Sequence, residues 1–357
     1  MAMLYILMTT GKCNLNCKYC GGSFPERLVP WSIKYDVSML NKLIEADRKP
    51  VIAFYGGEPL LNTGFIIDIM NRYDAKYVIQ TNGIFYKRLP DEYWRRFDAV
   101  LLSIDGREEV TDYYRGKGVY KRVLEAAAHI RRAGFTGDLI ARMTISTVSD
   151  VYLDVLHLLG VGVFDHVHWQ LDVVWSDRWH KFDDWSEKSY IPGIRRLAEL
   201  WVEGLRRGVL YGIAPFQGIT KGLIKGGLQA PPCGAGIDSF TVTTDGRILA
   251  CPIAVDSEWA HLADLPARAN DLVGKVGIGE PCTSCEYFKY CGGRCLYAHI
   301  ERLWGDEGFR SVCRTVKTTV DVLRTHLNTI VKVIDEGIIS QDDLLYPSYN
   351  NTVEIVP

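Results

Sequence analysis

No uninterrupted apolar run of 18 residues occurs in the chain, so a membrane-crossing helix has no candidate. The first residues, MAMLYILMTTGK, hold an apolar stretch too short for a secretory signal. Charge of one sign is also missing: 41 Lys and Arg stand against 43 Asp and Glu, a net charge of -2. No general pull toward nucleic acid or anionic lipid follows from that balance. Internal repeats and low-complexity segments are absent. Cysteine is missing from residues 21–232: three thiols lie at 13–20 and seven at 233–313. Ten cysteines in a chain without a signal read as metal ligands in a reducing compartment rather than as disulfides. The expectation is a cytoplasmic protein with two separate metal regions and neither nucleic acid nor membrane as partner.

The content of the chain is that of a globular protein, 47% hydrophobic and 24% charged over 357 residues. That length fits one large α/β domain with a smaller appendage. Apolar β-type runs are expected at 4–8, 51–55, 77–81, 99–104, 139–145 and 166–171. Amphipathic segments alternate with them: VSMLNKLIEAD, GFIIDIMNRYD, VYKRVLEAAAHIRRAG, stopped by Gly134, and VYLDVLHLLG. Six β/α units imply a parallel sheet with helices outside, and periodicity does not choose between an open sheet and a barrel. From 172 the chain changes: DVVWSDRWHKFDDWSEKSY is rich in Trp, His and Asp. A helical segment and the glycine-rich connector KGLIKGGLQAPP follow. The cysteine-dense region runs from Cys233 to Cys313, then an amphipathic helix over about 314–335 and a polar tail. Residues His166, His168, His180 and the tryptophans of 169–185 are candidates for a substrate groove, although single aromatics more often pack.

The stretch TTGKCNLNCKYCGG places Cys13, Cys17 and Cys20 on one loop after the first strand. Three thiolates hold three irons of a four-iron cluster and leave the fourth without a protein ligand. A structural zinc site closes with four ligands, so the triplet needs a distant His to make one. C-x3-C-x2-C with Tyr19 before the last cysteine resembles the signature of radical S-adenosylmethionine (SAM) enzymes. The resemblance implies a partial (β/α)6 TIM-like barrel over 1–215, a catalytic [4Fe-4S] cluster on Cys13, Cys17 and Cys20, and SAM on its open iron. Gly56-Gly57-Glu58-Pro59 is similar to the family's GGEP element, which contacts the methionine ammonium. The strand ends carrying Thr81 and Asn82, and Ser103 and Asp105, match positions used on the SAM ribose and carboxylate. Either Arg115, which resembles a family arginine, or Arg142 is the expected cation for that carboxylate, and Gln170 ends the sixth strand near the adenine or substrate.

The C-terminal cysteines, Cys233, Cys251, Cys282, Cys285, Cys291, Cys295 and Cys313, resemble the SPASM pattern of two auxiliary [4Fe-4S] clusters. Paired zinc ribbons fit a seven-thiol set poorly. The resemblance implies an outer cluster on Cys282, Cys285, Cys291 and Cys313, and an inner one on Cys233, Cys251 and Cys295. Fully ligated relatives supply an eighth cysteine a few residues before the first, and 221–232 contains none. An open iron, a non-cysteine ligand such as Asp238 or water, and loss of that cluster are the three readings, of which the first is favoured. The expected organisation is a barrel at 1–215, a linker at 216–232, the SPASM domain at 233–315, and a helix and tail at 316–357.

Anaerobic sulfatase-maturating relatives would carry an Asp directly after the inner-cluster cysteine, acting as base, and this chain reads Cys251-Pro252. Formylglycine formation loses ground, with Asp256 or Asp105 as substitutes for the base. Little room precedes Cys13 for the peptide-recognition domain of many relatives, so any leader peptide is expected to bind elsewhere. The function implied is modification of a side chain of a ribosomally made peptide or protein, by hydrogen abstraction and then crosslinking, oxidation or epimerisation, with ferredoxin or flavodoxin as electron donor. The alternatives are the same machinery on a small molecule, and a non-enzymatic iron–sulfur electron-transfer protein.

Overall fold

The computed structural model describes residues 3–45, 47–228, 230–346, 349 and 357. Six strands, β1 (Leu4–Thr10), β2 (Val51–Gly56), β3 (Lys76–Thr81), β4 (Ala99–Ser103), β5 (Asp138–Ile145) and β6 (His166–Leu171), lie side by side in chain order, each parallel to the next. All six coincide with the expected runs to within two residues at either end. Three further strands, β7 (Ser239–Val242), β8 (Arg247–Leu249) and β9 (His261–Asp264), extend the same sheet from the free edge of β1. β7 is parallel to β1, and β8 and β9 are antiparallel to their neighbours. The sheet is open, with β6 and β9 at its edges.

The period-2 alternation of side chains divides each strand between two environments. Tyr5, Leu7, Ile52, Phe54, Ile79 and Leu102 face outward and share one core with the helices, among them Ile66 and Ile69 of Thr63–Arg72, Val123 and Ala127 of Val119–Arg132, and Val155 and Leu158 of Val151–Val161. The opposite face carries smaller residues, Val51, Ala53, Val78 and Ala99 with Leu4 and Ile6, packed against one another and against Tyr346 and Tyr349. Helices on one face and a filled interior on the other make this a partial barrel, which decides what periodicity left open. Tyr346 stacks on His166 at 4.1 Å, and the Lys76 ammonium lies over Tyr349. Both contacts are at strand starts, so this part of the C-terminal tail plugs the N-terminal end of the barrel and leaves the other end open. Residues 347, 348 and 350–356 of the expected tail lie outside the described residues.

Two segments differ from expectation. The start of the 216–232 connector is helical, within Ala214–Lys225, because Phe216 packs between Trp169 and Trp201 at 5.9 and 5.8 Å. Its glycines matter only at the end, where Gly226 and Gly227 take positive φ. The C-terminal helix begins earlier, at Gly305, with Asp306 and Glu307 in a first turn that favours anions, and it divides at His326 into Gly305–Thr325 and Leu327–Asp335.

The Trp-rich segment mostly packs. Trp179 meets Trp185 at 4.8 Å and Trp304 at 6.1 Å, Phe182 meets Trp304 at 5.4 Å, and the Trp304 indole N–H donates to Ser176 O at 2.7 Å. Arg178 pairs with Glu307, and Arg314 with Glu187. The segment therefore fastens the barrel to the helix that carries Cys313. Trp304→Ala is expected to cost about 3–5 kcal/mol, the usual range for emptying an aromatic core site. Chemical denaturation checks this, and a loss under about 1 kcal/mol would contradict the fastening role.

Candidate active site

The loop leaving β1 is folded onto itself by backbone contacts. Phe24 N–H donates to Gly11 O at 2.8 Å, and Cys13 N–H donates to Ser23 Oγ at 2.9 Å. Cys20 and Gly21 both donate their N–H to Cys17 O, so Cys17 and Cys20 share one turn. Gly22 is required where it sits: φ is +91°, and a Cβ would lie 2.6 Å from Leu15 O. No cysteine forms a disulfide. The Cys17 thiol donates to Cys20 Sγ, which lowers Cys20 below the ordinary thiol range, helped by Gly22 N–H and Arg115. Cys17 is correspondingly raised.

One buried ion pair fixes this loop to the sheet. Asp105, fully buried just past the end of β4, accepts both Arg115 Nε and Nη2 at 2.8 Å, the Tyr19 hydroxyl at 2.9 Å, and Thr144 N–H at 2.8 Å. Four donors on two oxygens satisfy the carboxylate. Lys18 N–H, also on the loop, donates to Tyr114 O at 3.0 Å. Tyr19, between two of the three cysteines, is thereby tied to the ends of β4 and β5.

The end of β2 meets the same loop. A Cβ on Gly56 would fall 2.3 Å from Thr10 O, and one on Gly57 would fall 2.3 Å from Lys12 O. Gly57 and Glu58 donate their N–H groups to Thr10 O and Lys12 O at 2.9 Å. The contact that these glycines make possible is with the backbone immediately before Cys13. Glu58, buried, accepts Thr81 Oγ1 at 2.5 Å and Leu60 N–H at 3.0 Å on Oε1, and Asn82 N–H at 2.8 Å on Oε2. Burial raises its pKa, partly offset by these hydrogen bonds. Asn82 reaches Asn14 Oδ1 at 2.9 Å and lies 4.0 Å from Cys13 Sγ.

These parts surround a cavity of about 560 Å³ at the C-terminal ends of the strands. Cys13, Cys17, Cys20, Tyr19, Gly56, Gly57, Glu58, Thr81, Asn82, Ser103, Arg115, Arg142 and Gln170 all line it. Asp105 alone of the expected set does not: its oxygens are spent on Arg115, Tyr19 and Thr144, so it braces the wall and offers nothing to a ligand or to a substrate proton. Arg115 is likewise committed to Asp105. Gln170 Nε2 is buried with no hydrogen-bond partner. Sequence reasoning missed Thr144, Asp172 and Tyr297. The strand-end rule would have found Asp172, which directly follows β6, lines the cavity, and is raised by burial. Tyr297 and Asp256 arrive from the cysteine-rich region.

The remaining thiols fall into two groups. Cys282, Cys285, Cys291 and Cys313 lie close enough to perturb one another electrostatically, and each of Cys282, Cys291 and Cys313 is raised chiefly by burial. A hollow of about 50 Å³ opens beside Cys282, Cys291, Cys313 and Cys295. Cys251 and Cys295 share a second apolar cluster with Tyr297, Ala254 and Ala260, while Cys233 packs at the edge of the main core. Among the described residues, no three His, Cys, Asp or Glu side chains close on a single metal ion. Soft thiols beside hollows suit iron–sulfur clusters, and Cys13, Cys17 and Cys20, which line the cavity, are the residues that would hold one there.

Residues 7–158 match the model of the Radical SAM superfamily. The chain carries a radical SAM domain and is an enzyme. The expectation of a non-enzymatic electron-transfer protein is thereby set aside. This radical SAM chain is 23% identical over 355 residues to the cysteine-type anaerobic sulfatase-maturating enzyme of Clostridium perfringens, across 88% of this chain and 94% of that protein. It is 22% identical over 346 residues to the radical SAM cyclopropyl synthase TigE of Paramaledivibacter caminithermalis, across 84% and 69%. Its fold is similar to native anSMEcpe with bound AdoMet, with a TM-score of 0.74, 20% identity, and 93% and 100% of the two chains covered. It is also similar to Streptococcus suis SuiB bound to its precursor peptide SuiA, at 0.54 and 14%, with 83% and 72% covered. No helix among the described residues is long and apolar enough to cross a membrane.

Arg115→Ala is expected to lower stability by about 3–5 kcal/mol, because it leaves the buried Asp105 carboxylate without its counter-charge. Asp105→Asn combined with Arg115→Met should cost less than Arg115→Ala alone. Denaturant titration of the three proteins checks the ordering; equal losses would contradict the buried-charge origin.

Proposed function

We propose that this radical SAM enzyme cleaves SAM reductively and modifies a side chain of a ribosomally made peptide or protein. The observation that carries the reading is the loop of three thiols, with no fourth protein ligand of its own, opening into a 560 Å³ cavity walled by Glu58, Thr81, Asn82, Ser103, Arg142 and Gln170. Cys13, Cys17 and Cys20 would hold the cluster, which together with SAM would supply a 5′-deoxyadenosyl radical for hydrogen abstraction from substrate. The protein's own residues do the rest. Glu58, held by Thr81 and Asn82, pairs with the methionine ammonium, and Arg142 meets the carboxylate. Ser103 and Asn82 take the ribose, and the unpartnered Gln170 amide takes the adenine edge. Asp256 or Asp172 receives the substrate proton, since Pro252 holds no base and Asp105 is enclosed.

Residues 1–215 serve SAM cleavage and 233–315 hold two auxiliary [4Fe-4S] clusters, with 216–232 joining them. The outer cluster takes Cys282, Cys285, Cys291 and Cys313, and the inner one takes Cys233, Cys251 and Cys295 with one iron open. Support for a peptide substrate comes from relatives whose names or structures state one, SuiB with SuiA and the sulfatase maturase with a peptide. Phe24, Leu28, Trp175, Ile253 and Val255 on the same cavity give it an apolar wall suited to a side chain. A ferredoxin or flavodoxin in the reducing cytoplasm supplies the electron.

Anaerobically reconstituted enzyme with SAM and a reductant is expected to release 5′-deoxyadenosine, and Cys13→Ala to abolish it. Glu58→Gln should weaken SAM binding about tenfold or more, the loss of a charge-assisted contact. Chromatography and equilibrium binding check both. Wild-type SAM affinity in Glu58→Gln would overturn the assignment of the ammonium, and a mass change only in small metabolites, with none in co-expressed peptides, would favour the small-molecule reading.

A further inference from the structure

The helix Leu296–Glu301 starts at Cys295, and one turn later it carries His299, whose N–H donates to Cys295 O at 3.0 Å. His299 is buried, and its imidazole is held at both nitrogens. Gly279 N–H donates to Nε2 at 3.0 Å, so Nε2 is the acceptor and the ring proton sits on Nδ1. Nδ1 faces Cys282 Sγ at 3.6 Å. The Nδ1–H group therefore points at the sulfur. Gly279 also begins the turn that sets Cys282, since Cys282 N–H donates to Gly279 O at 3.1 Å. The ring and the thiol are thus positioned by the same short segment, and the Phe309 ring lies 6.1 Å away as a side wall. No other imidazole lies against one of the four outer thiols among the contacts of the described residues.

We infer that His299 is a positioning residue for the outer auxiliary cluster, donating a fixed Nδ1–H hydrogen bond to the Cys282 thiolate and thereby setting that cluster's reduction potential. The inference rests on the proposed four-thiol cluster of Cys282, Cys285, Cys291 and Cys313. A donor aimed at a ligating sulfur withdraws charge from it, which stabilises the reduced, more negative state of the cluster and raises its potential. Burial strengthens the effect, because water does not compete for the sulfur. His299 lies on the short helix that leads from Cys295, of the proposed inner cluster, to this contact with Cys282. Its hydrogen bond therefore lies between the two thiol groups, where the relative potentials of the two clusters decide which way an electron moves.

The test is an EPR-monitored redox titration of the full-length, anaerobically reconstituted enzyme. Cys313→Ala first identifies the signal of the outer cluster as the one it removes; if no signal disappears, the four-thiol assignment itself fails, separately from the role of His299. His299→Phe keeps a planar ring and removes the donor, and should shift that signal to a more negative potential at unchanged iron content. His299→Asn places an amide N–H near the former Nδ1 position, and should restore a potential close to wild type. An unshifted His299→Phe, or an equal shift in both variants, would overturn the inference. Should His299→Phe fail to assemble the cluster, electron–nuclear double resonance on wild type decides: an exchangeable proton coupled to the reduced outer cluster is expected, and its absence overturns the hydrogen bond.

Discussion

The Asp105–Arg115 pair is the contact on which the geometry of the site depends. A fully buried carboxylate is costly unless every lone pair is used, and here a bidentate guanidinium, a phenol and a backbone N–H use them. The phenol belongs to Tyr19, so the charge pair reaches directly into the cysteine loop. The position of Cys17 and Cys20 is thus coupled to the ends of β4 and β5, while Gly56 and Gly57 lock the first part of the loop to the end of β2. A loop with little secondary structure of its own becomes as fixed as the strands behind it.

The cysteine-rich region is joined to this scaffold through the sheet itself. β7 adds to the free edge of β1, so the strand that delivers the first three thiols also carries the hairpin that precedes Cys251. The contacts of Trp304 and Arg314 fasten the far side. Tyr297 and Asp256 can then line a cavity built mainly by the barrel.

Much of this was legible in the sequence, for particular reasons. The six strands were readable because parallel strands buried on both faces are nearly continuous apolar runs bounded by polar turns. The placement of most of the expected residues around one cavity followed from a single rule, that strand ends at one rim converge. The role of Asp105 was not legible: a polar residue at a strand end looks the same whether it faces a ligand or turns into an ion pair, and only its partners decide. The helix at 214–225 was hidden by glycines, whose low propensity was overruled by the burial of Phe216 between two tryptophans. The plugging of the barrel by Tyr346 and the contact of His299 with Cys282 depend on approaches between distant segments, on which local patterns carry no information.

The claim at the centre is that three thiols leave one iron for the amino and carboxylate groups of SAM. Electron–nuclear double resonance of the reduced, reconstituted enzyme with SAM labelled with 15N at the amino group and 17O at the carboxylate measures this directly. Hyperfine coupling of both labels to the cluster held by Cys13, Cys17 and Cys20 is predicted, and its loss in Cys17→Ala. Uncoupled labels in an enzyme that binds SAM and carries its full complement of iron would contradict the account.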